Sequence, residues 1–347
     1  MSNTLPNRKS AYRSAQEEKE ANWQLAEAKL KVHLQNLPKL LGKLKKIPDP
    51  RNLGSVKHQS DVLMLYGILM FVLQVTSRRE ANRVLTAPRL IENLKVLCPE
   101  LEDMPHQDTL SRFLRAIEVK QIEEIYLDLL NELIRKKKFR NLLAGGRYLI
   151  AIDGTQKYTM GTCRDGRYLR RKVGDGKYQY YAYVLEAVLI LSNGMVLPLM
   201  SEFLENTPEL EAIENEAKWK QDCELKGFYR LAERLKKRFP RLRITLLLDG
   251  LYANGPVLQL CQKNNWQFMI VLKDKSLPTV WEDVNGLMQL DTKGENSAKQ
   301  VKDGIEQQFK WVNEVEYEHG LKRRALKIHI VICEEKRVVV TKDGSVV

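Results

Sequence analysis

Two aspartates in this sequence each follow an apolar run and precede a glycine. Asp153 closes the run "RYLIAID" before Gly154, and Asp249 closes "RITLLLD" before Gly250. Runs of this length and composition predict strands buried on both faces. A carboxylate at the end of a buried strand is costly unless something pairs with it, so the two aspartates could face a ligand site. Asp-Gly is equally the ordinary signature of a turn, and both interpretations remain open on residue types alone.

The elements around these aspartates determine whether the two carboxylates meet. From about residue 145 the hydrophobic pattern predicts the order βββαβαβ, with Asn193-Gly194 as a hairpin turn between the second and third strands. The strands and helices are "RYLIAID", "YYAYVLEAVLIL", "MVLPLMSEFLE", "DCELKGFYRLAERLKKRF", "RITLLLD", "PVLQLCQKN" and "WQFMIVLKD". This order predicts an α/β fold with a mixed sheet flanked by helices, the layout of the RNase H-like fold. In that layout strands one and four are neighbours, which would bring Asp153 and Asp249 together.

The first part of the chain has a different pattern. Residues 1–58 predict a basic arm with a short helix, and residues 59–144 predict an all-helical domain. In one of its helices the apolar residues recur every three or four positions behind an expected Asp108 cap: Leu110, Phe113, Leu114 and Ile117. Arg112 and Arg115 project away from this stripe, which suits a helix in a DNA groove. Arginines on the solvent-exposed face of an amphipathic helix are also usual in soluble proteins, so both interpretations remain open.

Composition limits the classes of partner and cofactor. The chain has 347 residues and a net charge of +13, of which residues 1–150 carry +9, so a polyanion is the expected partner. Its apolar stretches are too short for a membrane helix and its start is polar, which predicts a cytoplasmic protein. The cysteines and histidines lack zinc-ligand spacing, so aspartate and glutamate are the available metal ligands.

Several blocks in this order resemble the catalytic domain of bacterial insertion-sequence transposases of the DDE type. The resemblance covers roughly residues 100–280 and rests on "IAIDGTQ", "YYAYVLEAVLILSNGMVLPLMSEFLEN", "KQDCELKGFYRLAERLKKRFPRL", "LLLDGLYANGPV" and "WQFMIVLKD". It implies Mg²⁺- or Mn²⁺-dependent cleavage at transposon ends, followed by strand transfer into target DNA. It assigns Asp153 and Asp249 as the first and second metal ligands. Double-stranded DNA, two protomers acting together and a nucleoid-associated location in a bacterial cytoplasm are further implications.

A basic segment lies beside the first aspartate. Between Gly161 and Tyr180 the charged residues sum to +4. The candidate DNA-binding residues there are Arg164, Arg167, Arg170, Arg171 and Lys172. They could clamp backbone phosphates near the scissile bond, or the segment could be a solvated loop.

The third acid expected by resemblance is a glutamate on a helix beyond a β-rich insertion. Residues 276–347 predict an incomplete insertion with strands at "QQFKWVNEVEYE", "RRALKIHIVICEE" and "RVVVT", and residues 145–275 form the predicted catalytic core. We therefore expect a truncated chain that binds DNA but cleaves it poorly. Four acids within or beside the sheet could take the place of the missing third acid: Glu186, Glu202, Asp222 and Glu224. Asp222 and Glu224, at the start of a helix, are better placed, although a surface or capping role is the default for all four.

The sequence leaves further functions open. A non-catalytic DNA-binding remnant that inhibits transposition would also use the basic charge. An RNase H-like nuclease would use Asp153, Asp249 and a local glutamate to nick DNA without strand transfer. An unrelated α/β fold with two coincidental Asp-Gly turns is the remaining alternative.

Overall fold

The computed structural model describes residues 14, 16–17, 20, 39–52, 54, 56–75, 77–95, 98–99, 101–163, 166–174, 176–206, 221–273, 276–302, 304–321 and 323–336. The chain divides into two compact units, Met1–Lys138 and Phe139–Val347.

The first unit is helical throughout its regular structure. Its helices are α1 (Ser60–Val72), α2 (Arg78–Leu85), α3 (Pro88–Leu94), α4 (Gln107–Ala116) and α5 (Val119–Arg135). Their apolar faces meet in one core that includes Leu63, Tyr66, Leu85 and Phe113, each fully buried. Burial of these faces drives the folding of the unit, since short helices are marginal by themselves. In the described part of the chain, no helix combines the length and apolarity needed to cross a membrane.

Helix α4 corrects two details of the sequence prediction. The His106 side chain caps the helix by accepting a hydrogen bond from the Asp108 backbone N–H (3.3 Å), so Asp108 lies in the first turn and the predicted Asp108 cap is wrong. Leu110, Phe113 and Ile117 are buried as expected. Leu114 is 44% exposed because the core contacts a narrower stripe of α4 than the spacing indicated.

The second unit contains a mixed sheet. Its strands are β1 (Tyr148–Met160), β2 (Leu169–Gly174), β3 (Lys177–Ile190), β4 (Val196–Leu204), β5 (Ile244–Leu248) and β6 (Gln267–Ile270). The order is β2-β3-β1-β5-β6, and β4 also pairs with β3. β1 is antiparallel to β3 and parallel to β5, and β5 is parallel to β6. The first and fourth predicted strands, now β1 and β5, are therefore neighbours.

Helices join these strands in the predicted places. β3 and β4 meet at the expected Asn193-Gly194 turn, where Gly194 has a φ of +82°. Helix α6 (Glu224–Arg238) packs Phe228, Leu231 and Leu235 into the core below the sheet, and α7 (Gly255–Lys263) connects β5 to β6. Because α7 lets β6 return parallel to β5, the carboxyl ends of β5 and β6 lie at the same edge of the sheet.

A second, antiparallel sheet follows helix α8 (Pro278–Leu290). Its strands β7 (Ser297–Lys302), β8 (Ile305–His319) and β9 (Arg324–Lys336) pair in chain order. Apolar residues of α8, β8 and β9 form its core, with Val284, Val315 and Ile328 among them. The strands predicted at "QQFKWVNEVEYE" and "RRALKIHIVICEE" are confirmed, whereas α8 and β7 were not predicted. The predicted strand "RVVVT" lies outside the described residues.

Candidate active site

The parallel pairing of β1 with β5 aligns the two aspartates. The paired residues run in step from Tyr148 opposite Ile244 to Ala151 opposite Leu247. Continuing the same register by two residues sets Asp153 opposite Asp249. Both aspartates are exposed to solvent. Two exposed carboxylates are thus carried to the same edge of the sheet by neighbouring strands.

Asp153 does not end its strand, contrary to the sequence prediction. β1 continues to Met160 because it remains paired with β3 after its pairing with β5 has ended. One Asp153 carboxylate oxygen accepts a hydrogen bond from the Gly154 backbone N–H at 2.8 Å. The Asp-Gly turn interpretation is therefore wrong at this position, since Asp153 is an exposed residue in the middle of a long strand.

Asp249 does follow the last residue of its strand. Its Oδ1 accepts a hydrogen bond from the Leu251 backbone N–H at 2.9 Å and so caps a short 3₁₀ turn, Gly250–Tyr252. The adjacent helix α7 has its own cap, Asn254, whose side chain accepts from the Val257 N–H. Asp249 therefore caps a local turn, as the Asp-Gly pair allowed, and does not cap α7. Within the described residues, Oδ1 of each aspartate accepts a local backbone hydrogen bond, and the second oxygen has no protein partner.

A third carboxylate, that of Glu224, lies beside β1. Glu224 is the first residue of α6, and it accepts a hydrogen bond from the Tyr183 hydroxyl on β3. Both groups lie against Gly154, where an added Cβ would be 2.5 Å from the Tyr183 hydroxyl oxygen and 2.9 Å from the Glu224 Cδ. Gly154 is required because strand and side chains approach this closely, and not because of a turn.

Tyr252 fills the space behind these acids. Its ring contacts Phe228 of α6 at 4.9 Å between centroids, the residue is 1% exposed, and its buried hydroxyl has no hydrogen-bond partner in the described part of the chain. Burial raises the pKa of Tyr252, and the nearby charges of Glu224, Asp249 and Asp153 raise it further. Burial also raises the pKa of Tyr183, with Glu224 as the next cause. Both phenols therefore stay protonated donors at neutral pH.

The basic segment after β1 is a hairpin, not a loop. β2 and the start of β3 pair from Leu169–Tyr181 to Gly174–Lys177. The Arg170 guanidinium lies 4.6 Å from the centre of the Tyr178 ring, and Arg171 lies 5.4 Å from that of Tyr181. Sequence reasoning missed β2 because the segment is rich in charge and glycine, which is a loop signal. The hairpin thus presents an ordered basic and aromatic surface.

The remaining candidate DNA-binding residues are dispersed. Lys172 is exposed on β2, and Arg167 is exposed with Glu205 at 4.0 Å. Arg164 lies outside the described residues. Arg112 and Arg115 are exposed on α4, in the first unit. These two therefore belong to a surface that is described separately from the hairpin.

Sequence reasoning missed Tyr183 and Tyr252 as members of the site. A tyrosine in a strand and one after a turn are both usual packing residues, so neither stood out. In the described residues, moreover, no three histidine, cysteine, aspartate or glutamate side chains converge as a ready-made metal site. Asp153 and Asp249 are a pair of oxygen ligands, with Glu224 adjacent.

Comparisons with known proteins concern the helical unit most directly. Residues 41–130 match the family model described as DDE_Tnp_1-associated. This match supports a transposase-related function, and it ends before the first of the blocks on which the sequence resemblance rests. No curated protein matches the chain.

Among solved structures, the chain is similar to one described as a cryo-EM structure of piggyBac transposase synaptic complex with hairpin DNA. The identity is 10% and the TM-score 0.31, over 88% of this chain and 60% of that chain. The chain therefore spans less than two thirds of that transposase chain, and a TM-score of 0.31 is too low to argue a shared fold.

Proposed function

We propose that the chain is a DDE transposase with an RNase H-like catalytic core, which cleaves DNA at the ends of an insertion sequence and transfers the strand. The observation that carries the proposal is the pair of exposed aspartates, Asp153 and Asp249, aligned on neighbouring parallel strands. The transposase-associated match of residues 41–130 agrees with it.

Asp153 and Asp249 fit a Mg²⁺ or Mn²⁺ cofactor. Both offer oxygen atoms, which these hard cations prefer, and each has one oxygen not engaged by the described protein groups. When bound, the metal would supply Lewis-acid stabilisation of the charge on the scissile phosphate. The two carboxylates would hold the cation, and the protonated Tyr183 hydroxyl donates a hydrogen bond to the neighbouring Glu224.

DNA would lie along basic surfaces of both units. The β2–β3 hairpin offers Arg170, Arg171 and Lys172 to backbone phosphates, with Tyr178 and Tyr181 holding the arginine side chains in place. Helix α4 offers Arg112 and Arg115. A net charge of +13 supports affinity for DNA of any sequence.

The test is Mn²⁺-dependent nicking of supercoiled plasmid by the purified chain. We expect nicking that Asp153→Asn and Asp249→Asn each reduce by at least about 100-fold, since each removes a charge from the metal site. Asp283→Asn, an exposed aspartate on α8, is the matched control and should nick like the parent. Nicking that survives both site substitutions would refute the assignment.

A second candidate, a DNA-binding protein without cleavage activity, is favoured by the lack of a convergent three-acid group in the described residues. It predicts that the parent chain shifts duplex DNA in a gel without nicking it in Mn²⁺. The same plasmid experiment therefore separates the two candidates.

A further inference from the structure

We infer that Lys273 is a phosphate-binding residue of the candidate active site, whose ammonium group contacts a backbone phosphate of DNA beside Asp249. This inference rests on the proposed function, because it names a group of the chain that receives the substrate phosphate at that site. The basic residues considered from sequence lie elsewhere, on helix α4 and in the segment from Gly161 to Tyr180.

The parallel pairing of β5 with β6 brings Lys273 to the edge of the sheet where Asp249 lies. The last pair in the register is Leu248 opposite Ile270. Because parallel strands end at the same edge, the residues that follow this pair leave the sheet together. Asp249 is the next residue on one chain segment, and Lys273 is three residues beyond the pair on the other.

The side chain of Lys273 crosses Gly250, the residue that follows Asp249. A Cβ on Gly250 would lie 3.1 Å from the Lys273 Cγ and 3.5 Å from its Cδ. The φ of Gly250 lies outside the left-handed region, so the missing side chain serves this close approach and not a turn conformation. The aliphatic stem of the lysine is therefore packed one residue from Asp249, and the ammonium group lies beyond this contact.

The backbone of Lys273 is anchored as well. Its carbonyl oxygen accepts a hydrogen bond from the Ser276 N–H at 2.8 Å. Helix α8 begins soon after, at Pro278, and buries Val280 and Val284 in the core of the second sheet. Lys273 is thus held both at its backbone and along its stem, which lowers the conformational entropy it loses when it binds a ligand.

Lys273 carries an unbalanced charge. It is exposed, and among the described residues no aspartate or glutamate forms an ion pair with it. Asp249 is no exception, so its carboxylate is not neutralised by this lysine. Lys157 of β1 differs, because it pairs with Glu186 at 2.7 Å. A lysine with a packed stem and an unpaired, exposed ammonium group is suited to bind an anion.

A phosphodiester is the anion that fits this position. Asp153 and Asp249 repel a phosphate, so positive charge beside them favours its approach. Lys273 supplies such a charge from the chain itself, with three N–H donors for phosphate oxygens. The surroundings of Gly250 are accessible, since Leu251 is 42% and Val271 72% exposed. The same site can therefore receive a backbone phosphate of duplex DNA.

The first test measures DNA binding independently of cleavage. The full chain carries Asp153→Asn and Asp249→Asn as the background, which removes the repulsion of the phosphate and the proposed metal ligands. Lys273→Gln should then reduce the slope of log binding constant against log salt concentration by about one unit, measured on duplex DNA by fluorescence anisotropy. Lys263→Gln is the matched control, because Lys263 is exposed at the end of α7, where the chain returns to the opposite edge of the sheet.

The second test is Mn²⁺-dependent nicking of supercoiled plasmid by the chain with both aspartates intact. Lys273→Gln should reduce nicking about 10–100-fold, the cost of one lost hydrogen bond to a charged group. Lys273→Arg keeps the charge and should recover most of this loss. Calorimetric titration of Mn²⁺ should show no weaker binding in Lys273→Gln, since a nearby positive charge has been removed. Thermal unfolding of each variant checks that the fold is intact.

The outcomes separate this inference from the proposed function. A reduced slope in Lys273→Gln beside an unchanged slope in Lys263→Gln supports the inference even if the parent chain nicks no plasmid and the proposed function fails. An unchanged slope in Lys273→Gln, or an equal reduction in Lys263→Gln, would overturn it. A parent chain that nicks plasmid no better than Lys273→Gln would also overturn it and leave the two-aspartate site in place, as would weaker Mn²⁺ binding in that variant.

Discussion

Replacing Gly154 with alanine tests the packing on which the candidate site depends. An alanine Cβ would lie 2.5 Å from the Tyr183 hydroxyl oxygen, 2.6 Å from its Cε1 and 2.9 Å from the Glu224 Cδ. Ordinary contacts to a Cβ lie at 3.4–4 Å, so the phenol would have to move by at least about 0.9 Å and the carboxylate by at least about 0.5 Å. Gly154→Ala would therefore displace Glu224 from β1.

The magnitude follows from two opposing effects. Overpacking of this kind costs about 1–3 kcal/mol. Reduced freedom of the unfolded chain returns about 0.4–1 kcal/mol. The net change therefore lies between about zero and a loss of about 2.6 kcal/mol, which lowers the unfolding temperature of a unit of this size by up to about 10 °C. Relative to the control below, the full overpacking cost of about 1–3 kcal/mol is expected. Gly161→Ala is the matched control, because a Cβ there has no neighbour within 4 Å and only the unfolded-chain effect applies.

Tryptophan fluorescence during thermal unfolding is the assay. Four of the five tryptophans, Trp219, Trp266, Trp281 and Trp311, belong to the second unit, so the signal reports chiefly on it. A double-mutant cycle with Tyr183→Ala should recover at least about 1 kcal/mol, because removal of the ring relieves the clash. If Gly154→Ala is as stable as Gly161→Ala and shows no coupling to position 183, the proposed packing is wrong.

Two further changes test other parts of the molecule. Gly227→Ala places a Cβ 2.4 and 2.8 Å from two buried leucine side chains, and this overpacking should lower the midpoint of unfolding in urea. The expected decrease holds even though alanine in place of glycine stabilises a helix by about 1 kcal/mol, so a higher midpoint would contradict the packing. Lys172→Ala should reduce the slope of log binding constant against log salt concentration by about one unit, measured for duplex DNA by fluorescence anisotropy. Lys302→Ala, an exposed lysine on β7, is the control, and a slope for Lys172→Ala equal to that of the parent chain would exclude Lys172 from phosphate contact.

The regular elements of the second unit could be predicted because their signals are local. The runs before Asp153 and Asp249, the Asn193-Gly194 turn and the apolar face of α6 each appear in a short window of sequence. Their order indicated that β1 and β5 are neighbours, and the structure confirms this pairing. The two aspartates were therefore identifiable as candidates before any contact was known.

The length of β1 and the existence of β2 were not predicted. Pairing with β3 keeps residues 154–160 extended after the apolar run ends, and β2 forms on β3 in a segment with loop composition. In both cases hydrogen bonding to a partner strand outweighs the low strand propensity of the local sequence. Strand propensity depends on its surroundings more than helix propensity does, so it is harder to predict from a short window.

The sequence by itself indicated that two aspartates follow apolar runs in a basic chain, and that these runs belong to neighbouring strands. Only the tertiary structure decided which other acid lies beside β1. Glu224 and Tyr183 are 41 residues apart in sequence, and their hydrogen bond exists because α6 packs against the sheet beside a residue with no side chain. Asp222 is only two residues from Glu224, yet it is bound to Arg230. Such a distinction depends on where packed side chains meet, and that information is absent from any local pattern of residue types.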